Sequence, residues 1–334
     1  MSEVSEDVRF LSVKNLVVEY TIGGEVIQAV NGVSFDLEKG KTLALVGETG
    51  AGKTTIAKSI LRILPDPPAI VRGGEVLLRG TDLMKLKSSE MRKVRGKTIS
   101  MIFQDPMTAL NPTRRVGDQI REGIKQHNQI SSAEAQRRAC DMLNLVGIGE
   151  DRAADYPHQL SGGMKQRVVI AIALACSPEL LLADEPTTAL DVTIQAQVME
   201  VIKGLREKLN TSMIMISHDL GVVAGISDYV AVVYAGEIIE YGSLEDLFDR
   251  PDHPYTIGLF NSLPSLSKDE DRLSPIPGLP PDPRKLPKGC SFSPRCPFVT
   301  EECILDKPKL SEIGPGHITR CFRPGIASRK GEGQ

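Results

Sequence analysis

The chain has 334 residues, of which 41% are hydrophobic and 25% are charged, so it can bury a sizeable core. A prior of roughly 150 residues per domain suggests two or three units. The formal net charge of −3 provides no overall basic field for binding nucleic acid or anionic lipid. Residues 1–7 lack the basic and apolar regions of a secretory signal, and no apolar stretch approaches the ~20 residues of a membrane-spanning helix. We therefore expect a cytosolic chain whose membrane association is at most peripheral.

Alternating β-type segments dominate the start of the chain. Residues 10–20, 26–37 and 42–46 predict an early antiparallel layer, followed by a strand that leads into a glycine-rich loop. Two more strands are expected at 74–79 and 98–103. Apolar residues at three- and four-residue spacings then predict two amphipathic helices, which we interpret as a helical insertion. These helices are expected at 116–127 and 133–146.

Strands and helices alternate in the middle of the chain. The predicted order is a helix from 161 to about 176, a strand at 180–183, a helix at 192–209 and a strand at 212–216. This alternation favours an α/β fold with a mainly parallel, doubly wound sheet. From about residue 250, prolines interrupt regular structure and predict a linker or an arm that wraps around the core. These prolines are Pro264, Pro275, Pro277, Pro280, Pro281, Pro283 and Pro287.

Residues 47–54 match the pattern GxxxxGK[ST] of a phosphate-binding loop, or P-loop, and lie between a predicted strand and a predicted helix. Glycines allow positive φ and bring backbone N–H groups close to phosphate oxygens, while the following helix presents its positive end. Lys53 is expected to reach the β- and γ-phosphates, and the Thr54 hydroxyl is expected to ligate Mg²⁺. A plain glycine-rich turn is the less favoured alternative. The predicted nucleotide-binding residues here are Gly47, Glu48, Thr49, Gly50, Ala51, Gly52, Lys53, Thr54 and Thr55.

Polar side chains directly follow three of the predicted strands. Asp184 and Glu185 end a buried strand, at the edge where ligands of open α/β sheets collect. Asp184 suits the Mg²⁺ shell, and Glu185 suits a general base that polarises the attacking water. Gln104 can ligate Mg²⁺ and orient water, and His218 is a candidate contact for the γ-phosphate. The alternatives are an acidic pair that only caps a loop, an ordinary loop glutamine and a structural histidine.

A second phosphate-binding device begins at residue 160. Ser161 is a good N-cap, and Gly162 and Gly163 leave the first helical N–H groups accessible. One P-loop together with two anion-binding helix starts suggests that the second start serves a nucleotide held by another subunit. A simple N-capped helix would explain Ser161 but not the paired glycines.

These motifs, in this order, closely resemble the ATP-binding cassette (ABC) ATPases over about residues 8–245. The resemblance implies a P-loop NTPase fold with an antiparallel β subdomain and a helical subdomain. It also implies that two subunits dimerise head to tail, each ATP lying between one P-loop and the partner's Ser161-Gly162-Gly163. Asp191 would link the two sites, and Tyr20 would stack on adenine. The matching residues outside the P-loop are Gln104, Leu160 to Gln166, Asp184, Glu185, Thr187 to Asp191 and His218.

Residues 103–112, 156–159 and 250–256 narrow the resemblance to the ATP-binding subunits of oligopeptide/dipeptide importers. This resemblance implies ATP and Mg²⁺ as cofactors and a peripheral position on the cytoplasmic face of the membrane. The implied partners are a second, related ATPase subunit, two membrane permeases and an extracytoplasmic peptide-binding protein, without nucleic acid. A homodimer stays open, as does nickel or another small solute as cargo.

The same resemblance implies a division of the chain into two parts. We expect an ABC nucleotide-binding domain at 8–250, with its helical subdomain at about 105–165. A C-terminal extension is expected at 251–334, with a proline-rich arm and four cysteines.

Four cysteines cluster near the C-terminus. Persistent disulfides are disfavoured in the cytosol, so metal ligation becomes the leading alternative. Four thiolates suit either Zn²⁺ or an iron–sulfur cluster, although the spacing is looser than in paired CxxC knuckles. The family resemblance implies a 4Fe–4S cluster, which we expect to be structural; zinc, unligated thiols or disulfides are the alternatives. These residues are Cys290, Cys296, Cys303 and Cys321.

Two other functions compete with transport. A non-transport cassette ATPase would act on DNA or ribosomes, but such proteins commonly fuse two cassettes or insert a zinc module in the core, and neither is seen. A redox-gated regulator would use the cysteines, and the sequence gives it no direct support. Because Lys53, Glu185 and His218 are all present, we expect an active ATPase site.

Overall fold

The computed structural model describes residues 9–187, 191–262 and 276–326. The acidic residues 1–7, the motif residues Thr188, Ala189 and Leu190, and two of the prolines, Pro264 and Pro275, lie outside these ranges. The strands are β1 (Arg9–Ile22), β2 (Glu25–Glu38), β3 (Thr42–Val46), β4 (Ala69–Leu78), β5 (Thr81–Asp82), β6 (Ile99–Ile102), β7 (Leu180–Asp184), β8 (Ser212–Ile216), β9 (Tyr229–Tyr234), β10 (Glu237–Ser243), β11 (Ser311–Gly314) and β12 (His317–Thr319).

Helices connect most of these strands. The α-helices are α1 (Lys53–Ile60), α2 (Ser88–Val94), α3 (Pro106–Ala109), α4 (Val116–His127), α5 (Ser132–Leu145), α6 (Gly162–Leu174), α7 (Val192–Leu209), α8 (Leu220–Ile226), α9 (Leu244–Asp249), α10 (Pro254–Asn261) and α11 (Glu301–Leu305). Short 3-10 helices lie at Leu83–Lys85, Glu150–Ala154 and Pro157–Gln159.

The chain divides into two compact units. The described part of the first unit comprises residues 9–10, Leu37–Thr42 and most of Lys85–Ser217. The described part of the second unit comprises Leu11–Asp36, Leu43–Met84 and most of residues 218–326.

Three parallel strands form the centre of the first unit. β7 pairs with β6 on one side and with β8 on the other, both in parallel register. Every residue of β6, β7 and β8 is buried, and most are aliphatic. Continuous apolar runs of this kind are typical of parallel strands covered on both faces. Because parallel strands end at one edge, the residues that follow β6 and β7 are held close together.

Helix α4 of the first unit buries one stripe of its surface. α4 buries residues at four-residue spacing, Val116, Ile120 and Ile124, and packs against α5. This is the amphipathic pattern of a helix that covers a core. Side-chain caps begin three other helices of this unit: the oxygens of Ser131, Ser161 and Asp191 accept hydrogen bonds from backbone N–H groups of α5, α6 and α7.

The second unit contains an antiparallel sheet in the order β2-β1-β4-β5. In a second set of strands, β3 pairs with β9 in parallel, whereas β9–β10, β10–β12 and β12–β11 pairs are antiparallel. The region after residue 250 therefore does more than form a proline-rich arm. Two strands from the end of the chain extend the sheet beyond β10, because their backbone groups complete its edge.

Buried polar contacts hold this C-terminal segment to β10. The fully buried Glu240 carboxylate accepts hydrogen bonds of 2.8 Å from the backbone N–H groups of Asp252 and His253. His317 Nε2 lies 2.8 Å from the same carboxylate. A buried carboxylate needs such partners, since an unpaired one costs several kcal/mol. Glu240 therefore joins β12 and the segment that enters α10 to a single residue of β10.

His253 makes the stability of this junction depend on pH. Its Nδ1 accepts a hydrogen bond from the Tyr255 N–H at 3.0 Å, and burial lowers the pKa of His253 from 6.5 to about 4. In the unfolded chain His253 binds a proton as the pH falls through 6.5, whereas in the folded chain it stays neutral until about pH 4. The contribution of His253 to the free energy of unfolding is therefore fully present above pH 6.5 and decreases as the pH falls towards 4.

Replacing His253 by Asn should remove this pH dependence. Asn keeps an acceptor for the Tyr255 N–H but does not titrate, so the wild-type chain should lose about 3 kcal/mol of unfolding free energy between pH 7 and pH 4 that the variant does not lose. Urea unfolding at both pH values measures the difference. Equal pH dependence in the two proteins would show that His253 does not stay neutral in the fold.

Candidate functional site

Two glycines shape the loop between β3 and α1. Gly47 has φ of 145°, and a Cβ there would lie 2.1 Å from the Val233 carbonyl oxygen. Gly52 has φ of 105°, and its Cβ would lie 2.4 Å from the Ala29 carbonyl oxygen. Neither conformation nor space admits a side chain, so both positions require glycine. The loop thus packs its backbone directly against β9 and β2.

Lys53 lies inside the loop that precedes it. Its Nζ donates hydrogen bonds to the carbonyl oxygens of Gly47 at 2.7 Å and Glu48 at 2.9 Å, and the residue is buried. α1 begins at Lys53 with no acidic residue in its first turn. The loop therefore combines an ammonium group with the positive end of a helix, which is an arrangement that binds phosphate.

The predicted adenine-stacking residue lies beside this loop. The hydroxyl groups of Tyr20, near the end of β1, and Thr55, in the first turn of α1, are 3.4 Å apart. The structure therefore brings Tyr20 to the start of the helix that the P-loop leads into.

In the first unit, Gln104 and Glu185 meet after β6 and β7. Gln104 Nε2 donates a hydrogen bond of 2.9 Å to Glu185 Oε2. Glu185 has φ of 47°, unusual for a residue other than glycine, and its N–H donates to the Ile216 carbonyl oxygen at 2.9 Å. Backbone strain of this kind is costly and concentrates at functional positions. The neighbouring Asp184 ends β7 as a buried carboxylate.

The turn at residues 161–163 is capped and closely packed. Ser161 caps α6 by accepting from the Met164 N–H at 3.3 Å, and the residues Ser161 and Gly162 are exposed. A Cβ at Gly163 would lie 2.6 Å from Ile194 Cγ2 on α7. Asp191 caps α7 by accepting from the Ile194 N–H at 2.9 Å. The starts of α6 and α7 are therefore fixed against each other.

The remaining predicted contact, His218, is the exposed residue that follows Ser217 after β8. His218 belongs to the second unit, as do the P-loop and Tyr20. The first unit contains the other predicted site residues, Gln104, Ser161, Asp184, Glu185 and Asp191.

Two residues of the C-terminal segment contact the P-loop, and sequence reasoning assigned neither to the site. The Tyr255 hydroxyl accepts a hydrogen bond from the Glu48 N–H at 2.9 Å. Arg295 donates to both carboxylate oxygens of Glu48, at 2.8 and 2.9 Å. Tyr255 lies within the motif at 250–256, so a signal existed for it. Nothing local in the sequence connects Arg295 with a residue 247 positions away.

The expected iron–sulfur or zinc site is wrong. Among the described residues, which include all four C-terminal cysteines, no group of three or more His, Cys, Asp or Glu side chains is placed to hold a metal ion. The cavity lined by these cysteines has about 20 Å³, room for roughly one water. Burial raises the pKa of Cys290 and of Cys321 to about 11, so both are protonated at neutral pH. Cys290, Cys296, Cys303 and Cys321 are free thiols.

Membrane insertion by a helix is not indicated in the part of the chain that the structure describes. No helix there is both long and apolar enough to cross a bilayer.

Comparison with known proteins identifies relatives along nearly the whole chain. A family model described as "ABC transporter" matches residues 30–188, and one described as "Oligopeptide/dipeptide transporter, C-terminal region" matches residues 239–303. The oligopeptide transport ATP-binding protein OppD of Bacillus subtilis (strain 168) is 51% identical, covering 94% of this chain and 88% of its own. The dipeptide transport ATP-binding protein DppD of the same organism is 50% identical, covering 94% of both chains.

Solved structures show the same fold. The dimeric structure of the ATP-binding cassette MJ0796 bound to ADP and Pi is similar with a TM-score of 0.63 and 28% sequence identity, covering 70% of this chain and 98% of that chain. The fold is therefore that of an ABC ATPase cassette, a P-loop NTPase with mixed sheets and helices.

Replacing Gly52 by Ala tests whether the backbone contact shapes the loop. The left-handed conformation costs Ala about 1–2 kcal/mol, and the clash with the Ala29 carbonyl adds about 1–3 kcal/mol. Gly80 is the matched control, because it has φ of 77° and a Cβ added there would meet no atom within 4 Å. In Gly80→Ala the free energy of unfolding should fall only by the backbone cost, and MgATP should bind normally. In Gly52→Ala the free energy of unfolding should fall further, and MgATP binding should also weaken. Thermal unfolding measures the stability of the two variants, and calorimetric titration measures their MgATP affinity. Equal stability and equal affinity in both variants would contradict the claim that the Gly52 contact shapes the loop.

Proposed function

The chain belongs to the ABC transporter ATP-binding protein family, and we propose that it is the ATP-hydrolysing subunit that energises a peptide importer. The observation that carries this proposal is the identity of about 50% to OppD and DppD over 94% of the chain. Residues 239–303 also match the C-terminal region of oligopeptide/dipeptide transporters. A cassette ATPase that acts on nucleic acid or ribosomes is not favoured by these relatives. ATP and Mg²⁺ are the cofactors of this family.

We assign ATP binding to the loop at residues 47–55 and to Tyr20. Lys53 supports this assignment because its ammonium group is held inside the loop by two carbonyl oxygens. Tyr20 lies next to Thr55 at the start of α1, so an aromatic ring is available beside the phosphate-binding backbone. In this proposal the N–H groups of the loop and Lys53 neutralise the phosphates, and Tyr20 stacks on the adenine ring.

We assign the hydrolytic step to Glu185. Its carboxylate would accept a proton from the attacking water, and the hydrogen bond from Gln104 Nε2 holds that carboxylate in a defined orientation. Because Gln104 donates through its amide nitrogen, its amide oxygen remains the atom that can face a cation. Thr54, Gln104 and Asp184 would hold Mg²⁺, which supplies positive charge to the phosphates. His218 is proposed as a γ-phosphate contact.

The turn Ser161-Gly162-Gly163, whose first two residues are exposed, is proposed to complete the ATP site of a second ATPase subunit. Its exposure and the positive end of α6 suit a phosphate brought by another chain. Asp191, fixed at the start of α7, would link the two sites. The similar cassette MJ0796 forms a dimer, which supports this assembly. Two permease subunits and an extracytoplasmic binding protein complete the proposed importer, with this chain peripheral on the cytoplasmic face.

Within this proposal, the nucleotide-binding domain spans 8–250, with a helical subdomain at about 105–165. The transporter-specific extension spans 251–334.

Replacing Glu185 by Gln should lower ATP hydrolysis by about 10²-fold or more while leaving MgATP affinity unchanged, because the amide keeps the size of the side chain but accepts no proton. Phosphate release by the assembled transporter and calorimetric titration measure the two quantities. Glu200→Gln, at an exposed position of α7, is the matched control and should hydrolyse ATP normally. Normal turnover in Glu185→Gln would exclude Glu185 as the base.

Peptide uptake tests the cargo. Proteoliposomes that contain the assembled transporter should accumulate a labelled dipeptide or oligopeptide in the presence of ATP, and the Glu185→Gln transporter should not. Nickel uptake measured in the same vesicles separates the two cargo classes. Uptake of nickel without uptake of peptide would overturn the proposed substrate.

A further inference from the structure

We propose that Arg295 is a positioning residue for ATP binding, which acts by holding Glu48 and thereby the P-loop. ATP affinity then depends on the fold of the C-terminal segment, which comprises the described residues 251–262 and 276–326. The inference rests on the proposed function, because it concerns the phosphate-binding loop of the same site. It assigns to this segment a role within the nucleotide site.

Arg295 uses its whole guanidinium group to join the P-loop, the proline-rich arm and β9, all within the second unit. Nη1 and Nη2 donate one hydrogen bond each to the two oxygens of the Glu48 carboxylate, at 2.8 and 2.9 Å, and form a fork. The other contacts go to backbone carbonyls of Pro277 at 3.0 Å and Ile276 at 3.3 Å, and to the Tyr234 hydroxyl at 3.4 Å. The planar fork fixes direction as well as distance, which the single ammonium of lysine does not.

The pair is largely shielded from solvent. The Arg295 side chain is only 4% exposed and that of Glu48 is 27% exposed. The guanidinium carbon lies 5.8 Å from the ring centre of Tyr234 and 5.9 Å from that of Phe292. Removing one charge would leave the other poorly solvated, so the two side chains are held together firmly. The Glu48 carboxylate therefore has one preferred position.

Glu48 transmits this constraint to the phosphate-binding lysine. Its carboxylate is held by Arg295, its N–H donates to the Tyr255 hydroxyl, and its carbonyl oxygen accepts from Lys53 Nζ at 2.9 Å. Burial raises the pKa of Tyr255, so this hydroxyl stays neutral. All three polar groups of Glu48 are thus used. A shift of Glu48 would move the carbonyl that orients the Lys53 ammonium.

The proline-rich arm is anchored on the same side of the loop. Gln28 of β2 donates its N–H to the Pro283 carbonyl at 2.9 Å, and Arg284 forms an ion pair with Glu25 at 3.0 Å. A cavity of about 350 Å³ is lined by residues 48–51 of the P-loop and residues 280–283 of the arm, among others. Since Arg295 binds carbonyls of the same arm, it ties the arm to the loop.

The test is MgATP affinity of the full-length chain, measured by calorimetric titration for wild type, Arg295→Met, Glu48→Gln and the double variant. Arg295→Met should weaken binding by roughly tenfold, within the range for residues that act through a neighbour. Glu48→Gln should weaken it similarly, and the double variant should be no weaker than either single one. Arg295→Lys should recover only part of the affinity. Lys288→Met, at an exposed position of the same segment and outside these contacts, should bind as wild type.

Each other result counts against the proposal. Wild-type affinity in Arg295→Met overturns it, and so does a double variant whose loss is the product of the two single losses, since Arg295 would then act independently of Glu48. If Arg295→Met melts far below wild type, Glu48→Gln decides the matter: unchanged affinity in that folded variant overturns the proposal. If the wild-type chain itself does not bind MgATP, both the role of Arg295 and the proposed function are overturned.

Discussion

The close approach of the P-loop backbone to β9 and β2 is the constraint on which the nucleotide site depends. Gly47 and Gly52 have positive φ, and each lies against a carbonyl oxygen that leaves no space for a side chain. These two contacts fix both ends of the loop. Lys53, which follows directly, is therefore directed into the loop rather than towards solvent, and α1 begins where its positive end can meet phosphate.

Local patterns predicted the elements that local forces determine. The strands β3 and β8 and the helices α4 and α7 have the bounds expected from the sequence, and β7 extends one residue further than expected. Buried five-residue apolar runs and three- to four-residue periodicity are strong signals. Gln104 and Glu185, which were each predicted as site residues, lie within hydrogen-bonding distance because parallel strands end at a common edge. The left-handed backbone of Glu185 could not be predicted from the local sequence, since it depends on a hydrogen bond to a neighbouring strand.

Features that depend on distant contacts were missed. β11 and β12 are short and partly polar, and they become strands because β12 pairs with the edge of β10 and β11 then pairs with β12. The cysteines illustrate the opposite error. Their number and clustering suggested a metal site, but spacing along the chain does not report the volume between the thiols, and only about 20 Å³ is available there.

The ion pair between Arg295 and Glu48 is better explained by geometry than by stability. Desolvating two charges offsets most of their attraction, and an apolar pair of similar volume would stabilise a fold equally well or better. An apolar pair could not, however, fix the direction of the residue whose carbonyl oxygen accepts from Lys53. The phosphate-binding loop is therefore shaped from both ends of the chain: glycines near its start bring the backbone into place, and Tyr255 and Arg295 hold it there.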